Sequence, residues 1–529
     1  MKTNMAVNKE MTLELKDHDR NNSYAFFETV FNSSWLTSTV ILIIGSFYLF
    51  TIRQGHFWGD DYSVYIQNAK NIVDGVDYNT TGYLYLAPYI GPGSYPPIFP
   101  LFLVPVYWLF GINLTAMKVE IILAVMFSLL LLTRLLKEYL SIKEQVILLA
   151  MVGLNPVFWE LKDRIQSEPL FLVTINLSLY FVCRFYKSSG IHGWAKLAYV
   201  FATGASFYLA YGTRSVGLLL LPCLVLYDVF RNGKLSWPSS YGVGVVMVTI
   251  MLILLQSLLL PRAHSYIEQV QPGSQHFLYN WMVFIRDNVM RYTFSLAELW
   301  DNIYIKLPRI VLTILMSILA VIGFIAQAKR KVTFLELFVG LYAICIIIVP
   351  MTGGIRYLLP IVPFYLFYSL QGIKALPPGS SFRNAVIAIV VISVTATYAA
   401  SYSTRSFREI PNGVTKAEAI EFFDYVKKQT NENDVFIFTK PRALALFTGR
   451  KASFFPLKKD DKEAWQYFRT VNATYLVVGP AGVEPHEQVF FTGFVDRNKG
   501  YFREVYANAD FVIYRILDMP SFHEVASKF

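Results

Sequence analysis

Two adjacent carboxylates, Asp60 and Asp61, stand near the start of a polar stretch that runs from His56 to Gly111. A carboxylate within hydrogen-bond reach of a hydroxyl can take its proton, so either can act as a general base toward an acceptor alcohol. Aspartate at the head of a helical pattern also serves as a helix cap, which is its commoner use. Asp61, Tyr65 and Ala69 recur at i, i+4 and i+8 and so share one helix face. A second set of polar residues interrupts later apolar runs: Lys162-Asp163-Arg164 with Glu168, then Arg214, then Arg356-Tyr357. Arginine presents a planar fork that matches phosphate geometry. An ionisable group beside an apolar run snorkels, is paired, or has a function. Acids on one loop and basic residues on three others point to a base facing a phosphate-bearing lipid. Arg356 and Arg214 are the foremost phosphate ligands, followed by Arg164 and Lys162. Tyr65, Asp163, Glu168 and Tyr357 are further site residues.

The elements that position these groups are membrane-spanning. The chain has 529 residues, is 54% hydrophobic and only 16% charged, and has a mean hydropathy of +0.41. A soluble chain carries about 25% charged residues. Repeated apolar runs of about 18 residues or more mark a polytopic helical membrane protein. The net charge of +10 is carried largely by loops, where it sets topology rather than nucleic-acid binding. Cys183, Cys223 and Cys345 lie inside apolar runs and read as packing residues, with no zinc spacing or disulfide framework. Residues 1–34 form a polar tail, expected to be cytoplasmic. The first span, Trp35 to Ile52, follows without a small-residue cleavage site and is expected to stay uncleaved.

Pro97 to Phe110 is apolar, contains Pro100 and Pro105, and at about 13 residues is too short to cross. Held on the outer side, it leaves Arg134, Lys137 and Lys143 cytoplasmic after the next run, as the positive-inside bias prefers. Spans are expected over Leu114–Leu132, Glu144–Trp159, Leu170–Tyr186, Trp194–Tyr211, Val216–Phe230, Tyr241–Leu260, Ile303–Ala326, Val332–Pro350, Tyr357–Ile373 and Asn384–Ser403. That makes about eleven in all, with Pro261 to Trp300 an outer loop. The first outer loop (53–113) then shares its face of the membrane with Arg214 and Arg356. Residues 404–529 change composition and read as a small extracytoplasmic α/β domain. Its helices are expected over Thr415–Thr430, with Thr415 as N-cap, and over Asp460–Val471. Strands are expected at Val435–Thr439, Tyr475–Val478 and Phe511–Ile516.

Several short motifs, in order and on one side of the membrane, resemble a known family. These are Asp61-x3-Tyr65-x3-Ala69-x5-Gly75, then Tyr95-Pro96-Pro97-Ile98-Phe99-Pro100-Leu101, then Leu109-Phe110-Gly111. Gln166-Ser167-Glu168-Pro169-Leu170-Phe171, Thr213-Arg214 to Gly217 and Arg356-Tyr357 to Pro360 follow. In the last part of the chain, Pro441-Arg442 to Thr448-Gly449-Arg450 has a similar look. Across roughly residues 35 to 400 the chain resembles the GT-C superfamily of integral-membrane glycosyltransferases. The likeness is to the branch of protein O-mannosyltransferases and lipid A aminoarabinose transferases (family 39-like). Many relatives carry Asp-Glu in the first loop. In the register set by Tyr65 and Ala69, Asp61 is the base and Tyr62 replaces the Glu; in the register set by the acidic pair, Asp60 is the base. The first register is preferred and both aspartates remain candidates.

The resemblance implies an inverting transfer of a sugar from a polyprenyl-phosphate donor to an acceptor hydroxyl on the outer face of the plasma (inner) membrane. The acceptor would be a protein, a lipid or a polysaccharide. Some members of the superfamily use a divalent cation, so one is possible here, although the scattered acids form no strong ligand cluster. A transporter or flippase for a lipid-linked or anionic substrate would also explain arginines within apolar runs. It accounts less well for the long acidic loop and the outer domain.

Overall fold

The computed structural model describes residues 35–59, 61–84, 95–188, 191–231, 237–260, 277–300, 306–349, 353–455, 460–480, 483 and 485–518. The helices of the bundle are α1 (Trp35–Phe50), α2 (Asp61–Asp74), α3 (Ile98–Phe110), α4 (Leu114–Leu136), α5 (Ile142–Gly153) and α6 (Pro156–Leu161). They continue with α7 (Glu168–Lys187), α8 (Gly193–Thr213), α9 (Leu220–Phe230), α10 (Ser240–Leu259), α11 (Phe277–Ala297) and α12 (Lys306–Arg330). The last are α13 (Phe334–Ile348), α14 (Ile355–Leu358), α15 (Val362–Ala375) and α16 (Ser381–Ser403).

Among the described residues, five helices are long and apolar enough to cross a membrane: α4, α7, α10, the Arg309–Arg330 part of α12, and α16. The chain is a multi-pass membrane protein, but the expected eleven spans are not confirmed. Several of the expected spans are shorter or broken. Glu144–Trp159 divides because Pro156 has no N–H to continue the ladder; Asn155 caps the new helix by accepting from Val157 N at 2.9 Å. Tyr357–Ile373 divides into α14 and α15 around Pro360 and Pro363. The stretch Pro261–Trp300, expected to be a loop, contains the 21-residue helix α11. Its apolar residues recur at helical spacing among Arg286, Asp287 and Arg291, and those charges masked the pattern. The 13-residue α3 is about 20 Å long and does not reach across a hydrocarbon core of about 30 Å. It turns Trp108, Leu109 and Phe110 outward.

The bundle core is one continuous apolar cluster to which α1 and α4–α16 all contribute buried residues. Gly323 of α12 and Gly372 of α15 sit against each other's helix so closely that a side chain on either would run into backbone, the small-residue packing usual in membranes.

Beyond α16 come α17 (Ala417–Gln429), β1 (Val435–Ile437), α18 (Pro441–Thr448), β2 (Lys451–Ser453), α19 (Asp461–Thr470) and β3 (Tyr475–Val478). The chain continues through α20 (Pro485–Arg497), β4 (Phe502–Ala507) and β5 (Val512–Ile516). The strands form one mixed sheet in the order β2-β1-β3-β5-β4, parallel from β2 to β3 and antiparallel after it. Strands β2 and β4 and helices α18 and α20 add to the elements expected from sequence. Helix α17 buries Ala419, Phe422, Phe423 and Val426, an i, i+3, i+4, i+7 stripe. Lys416, not Thr415, occupies its N-cap position. Asp460 caps α19 by accepting from Glu463 N at 2.8 Å.

This sheet does not stand apart from the first outer loop. Gly82 O accepts from Ala452 N at 3.0 Å and Leu84 N donates to Ala452 O at 2.9 Å. Residues around Tyr83 thereby line the β2 edge in parallel. A second suture joins Gln54 to Glu409. Between the two sutures, Trp58 and Tyr62 share an apolar core with Phe422, Phe438 and Phe511.

Candidate active site

The loop that carries Asp61 leaves α1 through a fully buried charge cluster. Arg53 Nε donates to Asp163 Oδ2 at 2.7 Å and Lys162 Nζ to the same oxygen at 2.6 Å. Lys118 Nζ lies 3.9 Å from Asp163 Oδ1. The lysines also hold main-chain carbonyls: Lys162 takes Thr51 O at 2.6 Å, and Lys118 takes Arg53 O at 2.7 Å together with Gly55 O. Cations belong at a helix C-terminus, where carbonyls lack partners. Lys162 and Asp163 therefore anchor the exit of α1. They are not brought to the cavity described next, contrary to the sequence expectation. Arg164 is also elsewhere: it pairs with Glu160 at 3.2 Å and lies over the Phe57 ring. A charge in sequence gives no indication of which way its side chain turns.

His56 fixes the next step of the loop. Its Nε2 accepts from Ile165 N at 3.0 Å, so the proton resides on Nδ1, which donates to Phe57 O at 2.8 Å. Burial holds the imidazole neutral and lowers its pKa to about 3.

Asp61 is the first residue of α2 and looks into a cavity of about 540 Å³ between the outer loop and the bundle. Arg356, on the single turn of α14, donates from Nη1 to Asp61 Oδ2 at 2.8 Å and from Nε to Glu168 Oε1 at 2.6 Å. Arg214, at the end of α8, reaches the same Glu168 oxygen at 2.8 Å and donates to Ser167 Oγ at 3.2 Å. Tyr65 closes the ring through its hydroxyl, 3.2 Å from Ser167 Oγ. The Arg214 guanidinium lies over the Tyr357 ring at 5.3 Å. Five sequence-predicted residues (Asp61, Tyr65, Arg214, Arg356 and Tyr357) thus line one cavity, and Glu168 ties two of them together from beneath. Asp60 lies outside the described residues.

Three site residues were not singled out from sequence. Tyr95 donates to Asp61 Oδ1 at 2.6 Å. Arg442, from α18 of the last domain, lies 3.4 Å from the same oxygen and 3.2 Å from the Tyr95 hydroxyl. Its guanidinium stacks on the Tyr83 ring at 4.9 Å. Tyr292 enters from α11, in the stretch expected to be a loop. Tyr95 and Arg442 both stand inside motifs already quoted, but their contact spans most of the chain.

Burial raises the Asp61 carboxyl, and Arg356, Arg442 and the Tyr95 hydroxyl together outweigh it, so its pKa lies below the ordinary aspartate value. Among the described residues, three guanidiniums (Arg214, Arg356, Arg442) face two carboxylates (Asp61, Glu168), an excess of one positive charge. The site is suited to an anion beside a carboxylate base. Among the described residues, no group of three or more His, Cys, Asp or Glu is placed to hold a metal ion.

No family model matches the chain, and no curated protein is similar to it in sequence. Solved structures do match. ArnT from Cupriavidus metallidurans bound to undecaprenyl phosphate is 12% identical, with a TM-score of 0.52 over 91% of this chain and 97% of that one. The archaeal oligosaccharyltransferase AglB from Archaeoglobus fulgidus, in complex with an inhibitory peptide and a dolichol-phosphate, is 11% identical. Its TM-score is 0.56 over 92% of this chain and 75% of that one. The fold is that of the GT-C membrane glycosyltransferases. Arabinofuranosyltransferase AftD from Mycobacteria shares it at 11% identity and a TM-score of 0.52, over 93% of this chain and 40% of that one. The site lies where the first outer loop, the bundle and the last domain meet.

Proposed function

We propose that the protein is an inverting glycosyltransferase that moves a sugar from a polyprenyl-phosphate donor to an acceptor hydroxyl, with its cavity and last domain on the outer face of the plasma membrane. The observation that carries this reading is the pairing of Asp61 with Arg356 at the wall of a cavity that Arg214 also lines. Asp61 takes the proton of the acceptor hydroxyl. The acceptor oxygen bonds to the anomeric carbon as the bond from that carbon to the phosphate oxygen breaks. The electron pair leaves with the lipid phosphate, and a single displacement inverts the carbon.

Arg356 and Arg214 offset the charge that grows on the leaving phosphate. An arriving phosphate competes with Asp61 for Arg356, which frees the carboxylate to face the acceptor. The two neighbours whose bound molecules are named, ArnT with undecaprenyl phosphate and AglB with dolichol-phosphate, support a lipid phosphate as the carrier. Because Asp61 and Glu168 are engaged by arginines, this reading needs no divalent cation, and transfer is expected to continue in the presence of a chelator.

The test is transfer from a radiolabelled polyprenyl-phosphate sugar by purified protein bearing Asp61→Asn, Asp60→Asn or both. Loss in Asp61→Asn with Asp60→Asn active is the expected result. Undiminished transfer by the double variant overturns the mechanism, and donor uptake into vesicles without any transfer replaces it with a transporter.

A further inference from the structure

A second cavity of about 380 Å³ lies at the opposite end of the bundle. Helix α7 joins the two: Glu168 at its start holds the Asp61 site, and Arg184 and Lys187 in its last turn line the second cavity. Twenty residues of helix separate the two ends by about 30 Å, the depth of a hydrocarbon core. The two cavities therefore open on opposite faces of the membrane.

The second cavity gathers cations from three separate segments: Arg134 and Lys137 at the end of α4, Arg184 and Lys187 on α7, and Lys331 between α12 and α13. Among the described residues, Glu138 is the one acid in its lining, and it is held by Lys187. Among the described residues, no carboxylate pairs with Arg134, Lys137, Arg184 or Lys331. A bias in loop charge accounts for cations on this face, but not for their convergence on one concavity. The walls are already fixed. Thr333, beside Lys331, is locked in a capping box with Glu336, which also accepts from the Tyr368 hydroxyl at 3.0 Å. Tyr186, on the wall, donates to Asp228 at 2.6 Å and packs edge-on against Tyr227.

We propose that this cavity binds the phosphate headgroup of an anionic membrane phospholipid, on the face away from the Asp61 site. Basic pockets between transmembrane helices take such headgroups, and the volume lies within the range of about 300–1,000 Å³ for small-ligand sites. The shared chemistry is a phosphate, so a soluble phosphate is the other possible source.

The test uses the full chain in nanodiscs. Protein is delipidated in detergent and reconstituted in phosphatidylcholine alone or with 30 mol% phosphatidylglycerol, and retained phospholipid is counted by native mass spectrometry. The triple variant Arg134→Gln, Arg184→Gln, Lys331→Gln is compared with Arg383→Gln, a change on α16 outside the cavity. The triple variant is expected to bind phosphatidylglycerol about a hundredfold more weakly, at about fivefold per cation, with Arg383→Gln unchanged. Lys331→Gln alone, expected to weaken binding several-fold, serves if the triple variant fails to fold. Inorganic phosphate is added to the phosphatidylcholine discs as a separate arm. Thermal stabilisation by it that disappears in the variants identifies a soluble ligand in place of a lipid. Equal phosphatidylglycerol retention by wild type and variants, with no phosphate effect, overturns the proposal. Donor binding at the Asp61 cavity is measured on the same samples and stays unchanged, so the outcome is independent of the function proposed for that cavity.

Discussion

Arg356 determines the electrostatics of the candidate site, because one guanidinium holds carboxylates from two different segments, Asp61 and Glu168. Asp61→Asn keeps the shape of the site and removes the base; transfer is expected to fall by about 10²–10⁴-fold, read as kcat on a fixed donor. The depressed pKa of Asp61 gives a second prediction. A base must be ionised, so the acid limb of kcat/KM lies below about pH 4, the ordinary aspartate value. Arg442→Gln removes one of the charges that lower it, and the acid limb is expected to move upward, whereas a purely structural role would lower the rate at every pH alike. His56 gives a prediction of stability. Unfolded histidine takes a proton below about pH 6.5, while the folded one refuses it until about pH 3. Stability is therefore lost as pH falls from 6.5 toward 3, and a His56→Gln variant should show a flatter Tm between pH 7 and pH 5. At this scale Arg214 and Arg356 were conspicuous as ionisable groups beside apolar runs, and Asp61 as one of two adjacent carboxylates at the head of a helical pattern. Lys162 and Asp163 carried the same signal and yet anchor a helix end, since sequence shows a charge without its direction.

At the scale of elements, the sequence was readable where hydrophobicity was continuous and misleading where proline or scattered charge cut across it. The short apolar α3, the helix opened by Asp61 and the stripe of α17 all follow from spacing alone. Helix α11 and the broken pair α5 and α6 do not, because Arg286, Asp287 and Arg291 in one case and Pro156 in the other disrupt the window by which a span is recognised. The charge cluster at the end of α1 has its own test. Asp163→Asn leaves Arg53, Lys118 and Lys162 without their shared carboxylate, a loss of about 3–5 kcal/mol for a buried pair. A lowered Tm followed by tryptophan fluorescence is expected, with Trp159 packed against Lys162 at 4.4 Å as a near reporter. The protein that remains folded should bind donor normally; weakened donor binding there would return Lys162 to the phosphate site.

At the scale of the whole molecule, the last domain is part of the site rather than an appendage to it. A change of composition sets residues 404–529 apart in the sequence, but the contact with Asp61 was not visible there, because Asp61 and Arg442 are 381 positions apart and no local pattern encodes such a pairing. Gly82 tests the junction. It has a φ of +69°, and a side chain there would press on Ala445. Gly82→Leu is expected to unseat the loop from β2, expose it to limited proteolysis and reduce transfer, while the bundle keeps its Tm. The suture at β2 also bears on how the protein is made. The outer loop is synthesised well before the strand that seats it. At roughly 5–20 residues per second, Asp61 waits about 20–80 s for Arg442. During that interval the loop has no seat on β2, and Asp61 and Tyr95 lack their contacts with Arg442. A chain released before Arg442, or one whose last domain misfolds, therefore inserts in the membrane with the Asp61 site incomplete. Activity at the Asp61 site would then report that translation has passed Arg442.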